Sequence, residues 1–415
     1  MRNSPMRQLS RHAKQVILLY GSSVVGLLAG VMISVLNTRV LPPELYGDVK
    51  YVQNNINFVS SLLLFGFFVS GSRILAVSKD PSFSKKIRGA MCTILGIALC
   101  ILALVLSVLC AVSFHKGADN LTLLYLVAIP VCGNALMLDY VNTTAQGDNF
   151  IGRIAIARCI PYLLYLIIAW LLFKYVSATP ALVLGLYNGI AVLVLASVIL
   201  STRPSFSNLK EAFKTLSKEN KDYGFNVYTG SLIAVSTQYL AGIALGHFCR
   251  DNSNVAFYTL ALSLATPLTM LPSIIGTTYF KQFAQSSRIG KKVFLSSAGL
   301  TVLSFFVFVI SIKFIVSFLY SEEYNSVGKF AAYLAIGTSF HGLGDMMNRF
   351  LGSHGLGKEI RNGAIACGTI AVLGNIILVY LMEIDGAILT RILSSTAYCL
   401  AMSYYYIRFT RRSIE

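Results

Sequence analysis

The chain has 415 residues, of which 55% are hydrophobic and 12% are charged. A soluble domain carries about 25% charged residues, so half of the usual solvating surface is missing. Disorder is excluded as well, because it needs low hydrophobicity and high charge. The composition is that of an integral membrane protein, and one built from helices. The net charge of +17 would suggest nucleic acid in a soluble protein, but here the positions of the cations decide otherwise. Eight scattered cysteines without a CxxC, and five isolated histidines, offer no metal-ligand spacing. No metal and no cofactor is expected.

In chain order, runs free of Asp, Glu, Lys and Arg cover 16–38, 51–72, 89–115, 120–138, 159–173, 175–202, 223–249, 252–280, 293–312, 330–344, 362–382 and 392–407. A membrane-spanning helix needs roughly 20 mainly apolar residues. The short runs reach that length when extended past Asp139, Arg158, Asp345 and Arg391. The spacing therefore predicts twelve transmembrane helices. The first run follows a basic start (Arg2, Arg7, Arg11, Lys14) but is too long for a signal peptide and lacks a cleavage site before Arg39. It is expected to remain as the first helix.

With the N-terminus in the cytoplasm, 26 of the Lys and Arg residues fall on the inner side and eight on the outer. The positive-inside rule then puts both termini in the cytoplasm, and the basic balance needs no nucleic acid to explain it. The longest connection predicts a helix, with Asn208 and Glu211 as a capping box. Its Leu209, Ala212, Phe213 and Leu216 share one face, opposite Lys210, Lys214 and Lys218. That pattern suits an interfacial helix on anionic headgroups. It separates an N-terminal six-helix bundle (1–202) from a C-terminal one (223–415) through the linker 203–222.

The two bundles carry matching residues at a slowly drifting offset. Arg73-Ile-Leu-Ala76 faces Lys281-Gln-Phe-Ala284, and Lys85-Lys86 faces Lys291-Lys292. Asp139-x-x-Asn142 faces Asp345-x-x-Asn348, and Gly152-Arg153 faces Gly357-Lys358. Six helices return the chain to its starting side, so the repeats are parallel, and such a pair is expected to surround a central cleft.

Gly352-Ser-His-Gly-Leu-Gly357-Lys358 imitates a phosphate-binding loop, but Glu359 stands where Ser or Thr is required and a helix precedes it instead of a strand. It reads as a cytoplasmic turn, and no nucleotide is expected. After the first helix comes Arg39-Val-Leu41-Pro42-Pro43-Glu44-Leu45-Tyr46-Gly47, in which Pro42-Pro43 forces an extended turn and Gly47 permits a close approach. The second helix ends Gly66…Gly71-Ser72-Arg73, and Tyr258-x-x-Ala261 and Pro272 follow in the eighth. On these residues the chain resembles the polysaccharide transporter family, specifically the O-antigen (lipid-linked oligosaccharide) flippases. These belong to the multidrug/oligosaccharidyl-lipid/polysaccharide exporter superfamily. It departs from the family pattern at Pro42, where glycine is usual.

The resemblance implies a flippase, not an enzyme, in the bacterial inner membrane. Its cargo would be an undecaprenyl-diphosphate-linked sugar unit, moved to the periplasmic leaflet by alternating access. It also implies membrane lipids, a polysaccharide polymerase and a chain-length regulator as partners. A multidrug and toxic compound extrusion cation antiporter is the alternative, and it would favour an anionic cavity. Cations able to neutralise a diphosphate are Arg39, Arg73, Arg349 and Arg391, against the alternative that terminal arginines snorkel to headgroups. Asp139 and Asp345, at equivalent repeat positions, are candidates for ion coupling. Their structural alternatives are pairing of Asp345 with Arg349 one turn on and of Asp139 with Arg153. Reporter fusions should place residue 118 in the periplasm and residue 212 in the cytoplasm; finding both on one side would overturn this topology.

Overall fold

The computed structural model describes residues 11–412; the basic residues Arg2 and Arg7 of the N-terminal topology signal lie outside them. The elements are α1 (Arg11–Val40), α2 (Pro43–Leu62), α3 (Phe67–Val77), α4 (Pro81–His115), α5 (Asp119–Ala128), α6 (Asn134–Gly147), α7 (Ile151–Leu172) and α8 (Pro180–Ser201). After them come α9 (Leu209–Glu219), α10 (Phe225–Phe248), α11 (Ser253–Ala265), α12 (Pro267–Thr278), α13 (Phe280–Phe283), α14 (Lys291–Leu319), α15 (Ser326–Ser353) and α16 (Gly357–Arg412). No strand occurs among the described residues. Among the described residues, seven helices are long and apolar enough to span a bilayer, eight with the bent pair α2–α3. Adding α1, α10, α15 and the second half of α16 gives twelve rods, as the charge spacing predicts. The last two rods meet at Glu383, whose φ of 50° breaks α16.

The duplication extends to the element boundaries. Rods open at Pro43 and Ser253, Pro81 and Lys291, Asp119 and Ser326, and Ile151 and Gly357, in the same order in each half. Asp139 and Asp345 lie equally far from the ends of their helices, at Gly147 and Ser353.

By packing, the chain forms two compact units. One runs to Leu36 and resumes over Val59–Thr229; the other takes Asn37–Phe58 and everything from Gly230 onward. In the first unit, buried Tyr165, Ala169, Ile33 and Ile190 form an apolar cluster. In the second, Phe283, Met346, Met347, Phe350, Leu351, Tyr398 and Met402 pack together.

The second rod is bent by 58° between α2 and α3. Gly66 sits at φ 79° there, a conformation that costs a side chain dearly, and an added Cβ would strike the backbone of Gly224. The bend frees carbonyls that hydrocarbon cannot solvate. Tyr228 Oη donates to Leu62 O at 2.7 Å, and Asn220 Nδ2 donates to Phe65 O at 3.1 Å. Asn220 opens a π-helical turn, Asn220–Gly224, and its Oδ1 accepts from Ser70 Oγ at 3.1 Å.

The α9 helix forms where the sequence predicts it, with two corrections. Asn208 adopts a left-handed conformation and makes no side-chain cap, so the capping box is absent. Ala212 and Leu216 are fully buried, and α9 packs on α3 and α4 of its own unit. The chain turns so closely there that a Cβ on Gly89 would strike the carbonyl of Ser205. Part of the apolar face is therefore covered by protein, with Leu209 and Phe213 half-buried beside it, and Lys210, Lys214 and Lys218 are left on the exposed side.

A second clamp joins the ends of α4, α6, α7 and α8. Asp148 accepts from Arg88 Nη2 at 2.7 Å and from Arg153 Nη1 at 3.0 Å. Arg88 Nη1 also donates to Thr202 O, and Tyr140 Oη donates to Arg88 O. The three charged side chains are 13–21% exposed, so they are poorly solvated by water. Removing the carboxylate leaves two desolvated guanidinium groups, and Asp148→Ala should cost about 3 kcal/mol. Asn220→Leu, which orphans Phe65 O, should cost about 1–3 kcal/mol. Thermal unfolding of the purified variants in one detergent tests both, and wild-type melting would contradict the assignment.

Candidate functional site

The segment Arg39–Gly47 is a packing hub of the second unit. Pro42 lies between α1 and α2 and Pro43 opens α2, as suits a residue without an N–H at a helix start. Gly47 lies so close to Asn252 that a Cβ would collide with its carbonyl, which is the close approach the sequence suggested. Tyr46 is fully buried and packs edge-on to Tyr324 at 6.3 Å. Tyr324 Oη donates to Leu41 O at 2.8 Å. Asp48, also buried, accepts from Asn252 Nδ2 at 2.6 Å. Sequence reading missed Asp48, Asn252 and Tyr324, because their partners lie far away along the chain and no local pattern marks them. Arg39 lies at this end of the unit, exposed, with its Nε donating to Leu319 O at 3.3 Å.

Arg73 is already engaged. Its Nη1 donates to Glu219 at 2.9 Å and its guanidinium covers the Tyr223 ring at 4.8 Å. With the arginine side chain 57% exposed, such a pair contributes little to stability.

Asp345 and Arg349 share α15, but the one-turn ion pair does not form. Asp345 Oδ1 accepts from Tyr398 Oη at 3.0 Å, and Asn348 Nδ2 donates to the same hydroxyl at 2.6 Å. His341 stacks on Tyr398 at 4.7 Å. The carboxylate faces the last rod, whereas Arg349 is exposed and its aliphatic stem covers Gly276. The ion pairs among the described residues are Arg73–Glu219, Arg88–Asp148 and Arg153–Asp148, so Arg349 has no carboxylate partner. Pairing of Asp139 with Arg153 is corrected in the same way, because Arg153 binds Asp148 instead. The Asp139 carboxylate makes no hydrogen bond among the described residues; Thr143 bonds only its backbone carbonyl.

Arg391 lies in the second half of α16 and lines a pocket within the second unit. The phosphate-loop imitation lies at the turn from α15 into α16, with Gly355 at φ 72°. His354 in that turn bridges Phe350 O and Ser286 O.

Among the described residues, apolar helical rods in two matching halves define a multi-pass membrane protein. The family model described as "polysaccharide biosynthesis protein" matches residues 12–286, and the chain belongs to that family. No curated protein matches its sequence significantly. Solved structures of similar fold include the lipid II flippase MurJ in an inward closed conformation. It has a TM-score of 0.68 at 13% identity, covering 97% of this chain and 90% of that one. An inward-facing multidrug resistance MATE family transporter of the MOP superfamily follows at 0.66 and 12% identity, covering 96% and 98%. A MOP superfamily transporter from Pyrococcus furiosus, described by a binding pocket of reverse polarity, matches at 0.51 and 14% identity over 99% of both chains. At these identities the likeness defines the fold alone.

The Tyr398–Asp345 bond yields a sharp test. Asp345→Asn keeps an acceptor for the hydroxyl and should melt near the wild type. Asp345→Leu removes it and should lose about 1–3 kcal/mol. Equal losses in the two variants would show that the carboxylate charge, not the hydrogen bond, holds this region.

Proposed function

We propose that the protein is a flippase for an isoprenoid-diphosphate-linked oligosaccharide, an O-antigen or similar repeat unit carried on undecaprenyl diphosphate. It moves the unit from the cytoplasmic to the periplasmic leaflet of the bacterial inner membrane by alternating access, with both chain termini in the cytoplasm. The observation that carries this reading is membership of the polysaccharide biosynthesis family. Likeness of fold does not separate a flippase from a drug transporter, since TM-scores of 0.68 and 0.66 are equivalent. Charge does favour one of them. Of the candidate side chains, Arg39, Arg349 and Arg391 make no ion pair among the described residues, against two candidate acids, Asp139 and Asp345. An anionic cargo suits that balance better than a cationic drug.

Sugars and a diphosphate cannot enter hydrocarbon unaided, whereas the isoprenoid tail can stay in lipid. Arg349 is assigned to the diphosphate, because it is exposed, makes no ion pair among the described residues and presents a bidentate fork. Arg39 is assigned to the opposite end of the path, and Arg73 is a weaker candidate because Glu219 already occupies it. Asp139 and Asp345 are assigned to ion coupling, Asp345 with Tyr398 as its hydrogen-bond donor. An inside-negative potential also drives an anion outward, by roughly 2.3 kcal/mol per charge per 100 mV.

Loss of the protein should leave the lipid-linked unit facing the cytoplasm and abolish surface polysaccharide. Arg349→Ala should reproduce that loss at normal protein abundance, and Arg349→Lys should retain part of the activity. Normal surface polysaccharide in Arg349→Ala would remove the residue from the path. Accumulation of toxic cations without any polysaccharide defect would instead favour the antiporter.

A further inference from the structure

We propose that the pocket around Arg391 is a binding site for a small monovalent inorganic anion of chloride size, distinct from the site of the large cargo. Every residue that lines it belongs to the second unit. It opens beside Arg391 and is walled by α10, α11 and the two halves of α16. Arg391 follows the turn at Glu383 by eight residues, which at 1.5 Å per residue puts it about 12 Å along the last rod. In a hydrocarbon core of about 30 Å, a rod that begins at that turn carries Arg391 into the apolar layer. A cation at such depth requires compensation. Among the described residues no carboxylate lies within ion-pair distance of it, and its buried Nε has no hydrogen-bond partner.

The rest of the lining has the same preference. Asn375 is 3% exposed and its side-chain oxygen is unpartnered, so the amide is free to turn its NH2 toward the pocket. The hydroxyl of buried Tyr258 makes no hydrogen bond among the described residues and is a ready donor. Gln238 adds a second amide. Thr390 and Ser394 donate their protons to carbonyls of their own helix, Gly386 O and Arg391 O. Their protons are thus spent, and the donors left for an anion are the guanidinium, the amides and the phenol. No Asp or Glu lines the space. Asp345 is the acid that acts on Arg391 through space, but it makes no ion pair with it and its carboxylate is held by Tyr398. A positive charge without a contacting carboxylate, beside amide and phenol donors, favours an anion over a metal cation.

Size then limits which anion. The cavity has a volume of about 20 Å³, room for one small particle, and Ala241, Leu262, Ala371 and Ala387 complete its wall. A chloride ion fits beside the guanidinium, whereas a diphosphate bearing an oligosaccharide and a long isoprenoid does not. Bound there, the anion would neutralise Arg391 and join α10, α11 and the last two rods.

The test uses the purified full-length protein in detergent, without lipid-linked sugar, so that its outcome is independent of the transport reading. Melting is followed in sodium chloride, bromide and gluconate at equal ionic strength. Chloride and bromide should stabilise saturably over gluconate, and Arg391→Gln should lose the difference while remaining monodisperse. Lys313→Gln, which alters an exposed cation of the same unit outside the pocket, should keep it. Should Arg391→Gln fail to fold, crystals of the wild type grown in bromide should show an anomalous peak at the guanidinium. Equal melting in gluconate and chloride, chloride dependence surviving in Arg391→Gln, or no bromide at Arg391 would each overturn the proposal. Displacement of bromide by the lipid-linked diphosphate would also overturn it, by making the pocket part of the cargo site.

Discussion

Within a bilayer, water cannot rescue a broken backbone hydrogen bond, and the rest of this structure depends on that constraint. Straight rods satisfy themselves, so attention falls on the places where they break. At the bend between α2 and α3 the carbonyls of Leu62 and Phe65 lose their helical donors, and Tyr228 and Asn220 replace them. Asn220 can do so because the chain forms a π-helical turn there, which also brings Glu219 to Arg73 and Asn220 to Ser70. The connection between the two halves is thus held by the same side chains that repair the bend. A loose linker would leave Phe65 O unsatisfied at a cost comparable to a lost buried hydrogen bond.

Rods, order and duplication were legible in the sequence because each follows from local composition. A membrane helix excludes charge over its length, and a duplicated chain repeats its charges at a fixed spacing. The close approach at Gly47 was legible too, since a glycine after a Pro-Pro turn has few other uses. What was not legible depends on partners brought from far along the chain. Asp345 reads locally as a partner for Arg349, but one face of α15 turns Asp345 toward Tyr398 while Arg349 stays at the surface. Arg153 likewise reads as a partner for Asp139 until Asp148, at the turn into α7, proves nearer. The apolar face of α9 has the periodicity of a membrane-surface helix. Its burial on α3 and α4 follows from a neighbour that periodicity does not show.

The fold serves carriers of opposite cargo, so its geometry alone does not choose a substrate. The choice rests on which charges are left over after structural pairing. Arg88 and Arg153 are consumed by Asp148, and Arg73 by Glu219. Arg349 remains for a large anionic headgroup, and Arg391 remains inside a small pocket. Arg39 is also left without an ion pair among the described residues, and these three cations are divided between a large cargo and a small ion in the proposals above.

The central claim is transport of a lipid-linked diphosphate sugar, and reconstitution tests it most directly. Purified protein is placed in liposomes carrying a fluorescent isoprenoid-diphosphate oligosaccharide, and the fraction of headgroups open to a membrane-impermeant sugar-modifying reagent is followed over time. The account predicts that headgroups of the inner leaflet become accessible only with active protein, and more slowly with Arg349→Ala. Inner-leaflet headgroups that stay protected, in vesicles where the same protein exchanges an organic cation for an ion, would contradict it.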